Sequence, residues 1–197
     1  MKKLAVFFLI VVLAVAAAGA YGAAHNQISY TVSPEYFTKF KFQRFGLGGD
    51  ERSERVRASI VGYHASMGMG MPIGVLVGAA GFIHRGYRRM LRVTLWSLAV
   101  AVVFTLLFGL CGLLYGYWQT RGIDLGEYRD WFVPNDVVNV RRFLCAGYMH
   151  NAAYLGGGLS ILVAWVFHIV VRVRSDTAAS HAPRIPASRC GPQGPVR

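Results

Sequence analysis

Charged side chains are missing from four long stretches of this chain: Leu4 to Tyr21, Ala65 to Ile83, Val93 to Trp118 and Ala152 to Val171. Each is close to the ~20 apolar residues with which a helix crosses a bilayer. The pattern predicts an all-α, polytopic membrane protein built as a bundle of four transmembrane helices. The first segment has a second reading. "MKK" followed by "LAVFFLIVVLAVAAAGA" also fits a signal peptide, with Ala18-Gly19-Ala20 as the small-residue cleavage site, which would leave three helices. The predicted organisation places a first helix or signal peptide at 1–22, then an extracytoplasmic segment with a short interfacial helix at 23–64. The second span covers 65–83, a basic cytoplasmic loop 84–92 and the third span 93–118. An extracytoplasmic loop and helix start occupy 119–150, the fourth span 151–171 and a disordered basic tail 172–197.

Between the spans the pattern is finer. Ile28, Tyr30 and Val32 alternate with polar neighbours, as in a short extended piece. Ser33-Pro34-Glu35 reads as a helix start, with a hydroxyl cap, proline at the first helical position and an acid in the first turn. Phe37, Phe40, Phe42 and Phe45 do not fall on one face at helical spacing. They suggest rings at headgroup depth with Lys39, Lys41 and Arg44 near phosphates, or alternatively a lipid or substrate groove. After Gly46–Gly49, Asp50 offers a cap for a helix running into the second span. Gly70, Gly74 and Gly78 recur every four residues and line one helix face for close packing; Gly156 and Gly157 offer the same on the fourth span. The third span reads as a lipid-facing strut. Pro134–Asp136 marks a start from which a helical pattern runs to Val171.

Composition agrees with a membrane chain. Hydrophobic residues make up 54% and charged residues 15%, the latter below the roughly 25% of soluble domains. The net charge of +12 would suggest nucleic acid on a soluble surface, but its placement argues for topology. Lys2, Lys3, Arg85, Arg88, Arg89, Arg92, Arg172 and Arg174 share one side with the single acid Asp176, whereas the opposite side mixes bases with acids. The positive-inside rule then puts both termini in the cytoplasm of a multi-pass protein of the bacterial inner membrane. The expected partners are the lipid bilayer and a membrane-protein partner or second copy, not nucleic acid. Cys111, Cys145 and Cys190 are spread over different compartments, which gives no basis for an intrachain disulfide.

Three histidines, His25, His64 and His150, fall at one membrane boundary. They read as polar residues holding helix ends, or as metal ligands. Met67, Met69 and Met71 beside His64 add a narrower copper idea, since thioethers with imidazole suit Cu(I), although residues two apart on a helix face different ways. Haem between an outer layer of His64 and His150 and an inner layer of His84 and His168 is a further alternative. The layers would be about 30 Å apart. No Asp, Glu, Lys or Arg lies within any span, which disfavours a proton-coupled transporter. Phosphate-cradling loops, HExxH and GxSxG are absent. An enzyme would have to draw on Glu35, His25 and His150 as acid/base groups with Tyr30, Tyr36, Asn151 and Tyr154 as partners, and no nucleophile with its base accompanies them.

The stretches "HNQISYTVSPEYFTKFKFQRFG" and "HNAAYLGG" resemble motifs of an uncharacterised family of small bacterial integral membrane proteins, labelled signal-peptide-containing or hypothetical. "RASIVGYHASMGMGMPIG" fits less closely between them, and Asn26 stands where an acid is common. The resemblance implies importance for His25, Gln27, Tyr30, Ser33, Pro34, Glu35, Tyr36, Lys39 and Lys41, and for His150, Asn151, Tyr154, Gly156 and Gly157. It implies no reaction and no cofactor. The expected site is a hydrogen-bonded polar cluster at the outer face, drawn from His25, Asn26, Gln27, Tyr30, Ser33, Glu35, Tyr36, His150, Asn151 and Tyr154. Such a cluster suits an inner-membrane accessory or interaction protein. The alternative is a metal-binding (copper or haem) or lipid-modifying protein acting at the outer leaflet.

Overall fold

A computed structural model describes residues 1–122 and 124–180. The chain is all-α. Among the described residues, four helices are long and apolar enough to cross a membrane: α1 (Lys2–Val32), α3 (Glu54–Ala80, extended by a 3-10 turn at Gly81–Ile83), α4 (Tyr87–Gln119) and α5 (Val140–Ser180). A π-helical turn (Tyr36–Lys41) and the short α2 (Phe42–Arg44) follow α1, and a 3-10 segment (Leu125–Trp131) precedes α5. The helices run up, down, up and down. One end of the bundle carries the segments 33–53 and 120–139 and is termed here the connector end. The other, terminal end carries Met1 and the turn 84–86, where Gly86 takes φ 84°, a conformation that favours glycine.

The bundle is two tightly seamed pairs, α1 on α3 and α4 on α5. Between lipid-immersed helices no hydrophobic force operates, so close van der Waals approach must hold them. Gly70 and Gly74 supply it as the sequence predicts, lying against Ala14, Val15, Ala18 and Val11 of α1, and Gly78 against Phe7. The tightest point is Gly22 against Gly62. A Cβ on either would sit 2.1 Å from the other's carbonyl oxygen, so no larger residue fits without parting the helices. The α4–α5 seam uses Gly109, Gly112 and Gly116 against Ala153, Ala152 and Tyr148. The third span is therefore a packed helix rather than a lipid-facing strut; its glycines fall at mixed intervals of three and four, still one face. Gly156 meets Phe108, whereas Gly157 has only Thr105 within 4.0 Å.

Several element boundaries move, each for a local reason. Residues 28–32 are helical rather than extended, and α1 continues to Val32. Its polar residues find partners on α3: the Asn26 amide donates to the Ala58 carbonyl (2.9 Å), and that of Gln27 to the Arg55 carbonyl (2.9 Å) and Ser59 Oγ (2.7 Å). Asp50 does not cap α3; it pairs with Arg52, and Ser53 stands at the cap. The α5 helix starts at Val140 rather than at Pro134–Asp136, because Asn139 Oδ1 accepts from the Arg142 N–H (3.1 Å). At the far end α5 passes residue 171 and reaches Ser180. There Arg172 pairs with Asp176 (2.8 Å) one turn on and donates to the Ile83 carbonyl (2.8 Å). The rest of the predicted disordered tail, with Cys190, lies outside the described residues.

Candidate functional site

The "SPEYFTKFKF" stretch folds as a cover over the connector end. Ser33 Oγ accepts from the Tyr36 N–H (3.3 Å), which starts the turn as a capping hydroxyl does. The next six residues form a π-helix, closed by the Phe42 N–H on the Phe37 carbonyl five residues back. That wider turn explains the irregular phenylalanine spacing. Phe37 and Phe42 fall on one face, both buried, with ring centroids 6.0 Å apart. Glu35 ties this cover to α5: its carboxylate accepts from the N–H groups of Val138 (2.9 Å) and Asn139 (2.8 Å). Those bonds, with Lys39 nearby, hold the carboxyl below its usual range. Lys39 pairs with Asp136 at 2.6 Å beside it.

Beneath the cover, the two His-Asn stretches meet. The rings of His25 and His150 pack edge to face with centroids 4.9 Å apart, and both are buried. His150 Nε2 is hydrogen-bonded to Ser29 Oγ (3.1 Å), and the Tyr36 ring stacks on the His150 imidazole at 5.0 Å and 25°. Burial pushes the Tyr36 phenol up, and the Lys41 ammonium, 5.4 Å from the Tyr36 ring centroid, is held down by burial and then by Arg44.

A cavity of about 90 Å³ opens between the two helix pairs below these rings. Its walls are mostly small and apolar: Ala14, Ala17 and Ala18 of α1, Gly70 and Ile73 of α3, Leu98, Ala101 and Val102 of α4, Ala153 and Gly157 of α5. Polar atoms gather at its connector-end head, from Tyr21, His25, Asn26, Ser66, His150 and Tyr154. Two of them have no partner although buried, His25 Nε2 and the Tyr21 hydroxyl. Orphaned buried polar atoms are rare in folded proteins and call for an explanation. Among the described residues no Asp, Glu, Lys or Arg lines the cavity.

The structure thus brings together His25, Ser33, Tyr36 and His150, with Asn26 at the cavity head and Glu35 as the tie. It separates others. Tyr30 donates to Glu54 and stands beside Arg55 instead of joining the histidines. Gln27 binds α3, Asn151 is exposed, and Tyr154 joins only as a cavity wall, 43% exposed. His64 lies exposed against Tyr63, away from the pair; α3 turns its Ala58, Val61 and Gly62 inward instead. The copper set does not assemble: Met69 lines the cavity, Met71 is 60% exposed and Met67 half-buried. His150 Nε2 is bonded to Ser29 Oγ, and His25 Nε2 lies towards Gly109 of α4. Among the described residues no group of three or more His, Cys, Asp or Glu could hold a metal ion. Sequence reasoning missed Tyr21, Ser29 and the Gly22–Gly62 contact. The four-residue series Ala14, Ala18, Gly22, Asn26 was the available signal.

A second histidine pair closes the terminal end. His84 Nε2 and His168 Nδ1 are hydrogen-bonded directly (2.9 Å), and His168 Nε2 bonds Ser97 Oγ (3.0 Å), all buried. Lys3 donates to the carbonyl of His84 (2.8 Å). Burial, and then Arg89, Arg172 and Lys3 nearby, hold the His84 imidazole below its usual range.

No protein-family model, curated protein or solved structure matches the chain.

Proposed function

We propose that this chain is an accessory protein of the bacterial inner membrane that captures the uncharged polar head of a membrane-borne amphipathic molecule between its helix pairs. It belongs, on this reading, with the small integral membrane proteins whose motifs it resembles, and its connector end faces out of the cytoplasm. Lys2, Lys3, the basic residues of 84–92, Arg172 and Arg174 support that orientation, because they share the opposite end of the bundle. The observation that carries the binding role is that His25 and Tyr21, each with a buried polar atom (Nε2 and Oη) that has no partner, line the head of a mostly apolar cavity. Few convergent polar groups in an apolar recess are the usual make-up of a small-molecule site.

Size and charge narrow the ligand. About 90 Å³ holds roughly three water-sized groups, so a head of a few heavy atoms enters while its body stays in lipid. Met69 and Tyr154, both partly exposed, form a rim through which such a body can leave sideways. With no charged residue in the walls, an ionic head would be stranded. A hydroxyl or carbonyl suits the two donors and acceptors available.

The test is ¹⁵N-histidine NMR of the full chain in neutral detergent, titrated with dioctanoylglycerol and with a decyl-benzoquinone. The expected result is a saturable shift of the His25 Nε2 resonance with at least one probe, abolished by Val102→Phe, which fills the cavity wall. No saturable shift with either, in protein that keeps its helical circular dichroism, would overturn the proposal.

A further inference from the structure

Beyond the cavity, a groove of about 560 Å³ lies on the connector end where all four long helices meet, lined by Gln27, Ile28, Thr31, Val32, Arg55, Tyr117 and Arg142. Its volume is within the range of small-ligand sites, about 300–1,000 Å³. Two arginines face it, and neither has a carboxylate within ion-pair distance among the described residues. Arg55 is steadied by neutral oxygens, donating to Gln27 Oε1 and Thr31 Oγ1 (3.3 Å each), with its guanidinium 5.0 Å from the Tyr30 ring centroid. The Arg142 guanidinium bonds nothing among the described residues, although its backbone N–H is used by Asn139.

Four acids of this end are committed elsewhere. Glu35 holds the start of α5, Glu54 takes Tyr30 and Arg57, Asp136 takes Lys39, and Asp50 takes Arg52. That arrangement pairs Lys39, Arg52 and Arg57, whereas Arg55 and Arg142 line one groove with no carboxylate in ion-pair reach among the described residues. Arg141 adds to the field from the side, donating to the Tyr117 carbonyl (3.1 Å). Two guanidinium forks around one recess match the oxygens of a phosphate. The groove sits at the ends of the spans, where headgroups lie, and its floor is apolar: Ile28 is 37% exposed and Val32 half-buried.

We infer that this groove binds the phosphate of an anionic phospholipid headgroup, held between Arg55 and Arg142 with the start of the acyl region against Ile28 and Val32. It is a separate site from the cavity and does not depend on the ligand proposed there. A soluble phosphate shares the chemistry but would make no use of the apolar floor.

The experiment titrates the full chain in neutral detergent with dihexanoyl phosphatidylglycerol, dihexanoyl phosphatidylcholine and inorganic phosphate, reading bound adducts by native mass spectrometry. Phosphatidylglycerol should bind in preference to the other two. Arg55→Gln and Arg142→Gln should each weaken it about fivefold, and the double variant by about 25-fold. Arg174→Gln, at the opposite end, should leave it unchanged. Each variant's thermal transition is recorded, and Arg→Lys at both positions should restore part of the affinity if an altered fold were not the cause. Equal binding of all three probes, or wild-type affinity in the double glutamine variant, would overturn the inference. Phosphate binding as tightly as phosphatidylglycerol would overturn the lipid as its source.

Discussion

The two ends of this bundle each bury a pair of histidines, and they spend them differently. At the terminal end, His84, His168 and Ser97 form a continuous hydrogen-bonded chain in which His168 uses both ring nitrogens on protein partners. It works as a latch between the 84–86 turn, α4 and α5. At the connector end, His25 and His150 touch without bonding each other, and His25 keeps Nε2 unspent over a cavity. Histidine at a helix end is thus not one signal. Each pair leaves one buried ring nitrogen without a partner, His84 Nδ1 and His25 Nε2; what separates them is that His84 and His168 bond each other directly, whereas His25 and His150 meet only by their rings and line a cavity.

If the latch reading holds, His168→Ala is the most damaging change. It leaves His84 Nε2 buried without a partner and Ser97 Oγ with only the Thr94 carbonyl, at a cost of about 2 kcal/mol, read as a lowered thermal transition in detergent. A loss under ~1 kcal/mol would erase the contrast between the ends. Glu35→Gln tests the other end's fastening. It weakens the tie from the cover to α5 by only about 0.5 kcal/mol, because water screens the site. The same carboxyl gives the pH dependence. Its folded-state pKa lies below the ordinary 4.5, so its stabilisation is present above that value and is lost as pH falls through the lower folded one. Glu35→Gln should therefore flatten the stability profile in that acid window, measured by thermal melts across pH. The smallest effect is expected at His25→Leu. Removing a polar atom that has no partner should change stability by less than ~0.5 kcal/mol while abolishing binding of the same cavity probes, read by native mass spectrometry.

The spans were the legible part. A run of ~20 apolar residues has few alternatives to crossing a bilayer, and Gly70, Gly74 and Gly78 announced their face by period alone. The polar ends were harder because their partners lie far away in sequence. Ile28, Tyr30 and Val32 looked extended since nothing local showed that Asn26 and Gln27 would bond the α3 backbone. Depth alone grouped His25, His64 and His150. The choice between them depended on the rotation of α3, which the Gly22–Gly62 contact sets, with His64 on its outer side. The Phe37–Phe42 interval made no sense at 3.6 residues per turn and becomes regular on the π-helix.

The division into two glycine-seamed pairs has a consequence for how the chain can be handled. Residues 1–83 carry every small residue of the first seam, and residues 87–180 every one of the second. The turn at 84–86 is the covalent joint between two self-complementary hairpins. Severed there and co-expressed, the halves keep their own seams and must find each other only through the interface that holds the cavity. Reassembly of such fragments makes that interface, and whatever occupies it, measurable as a bimolecular affinity.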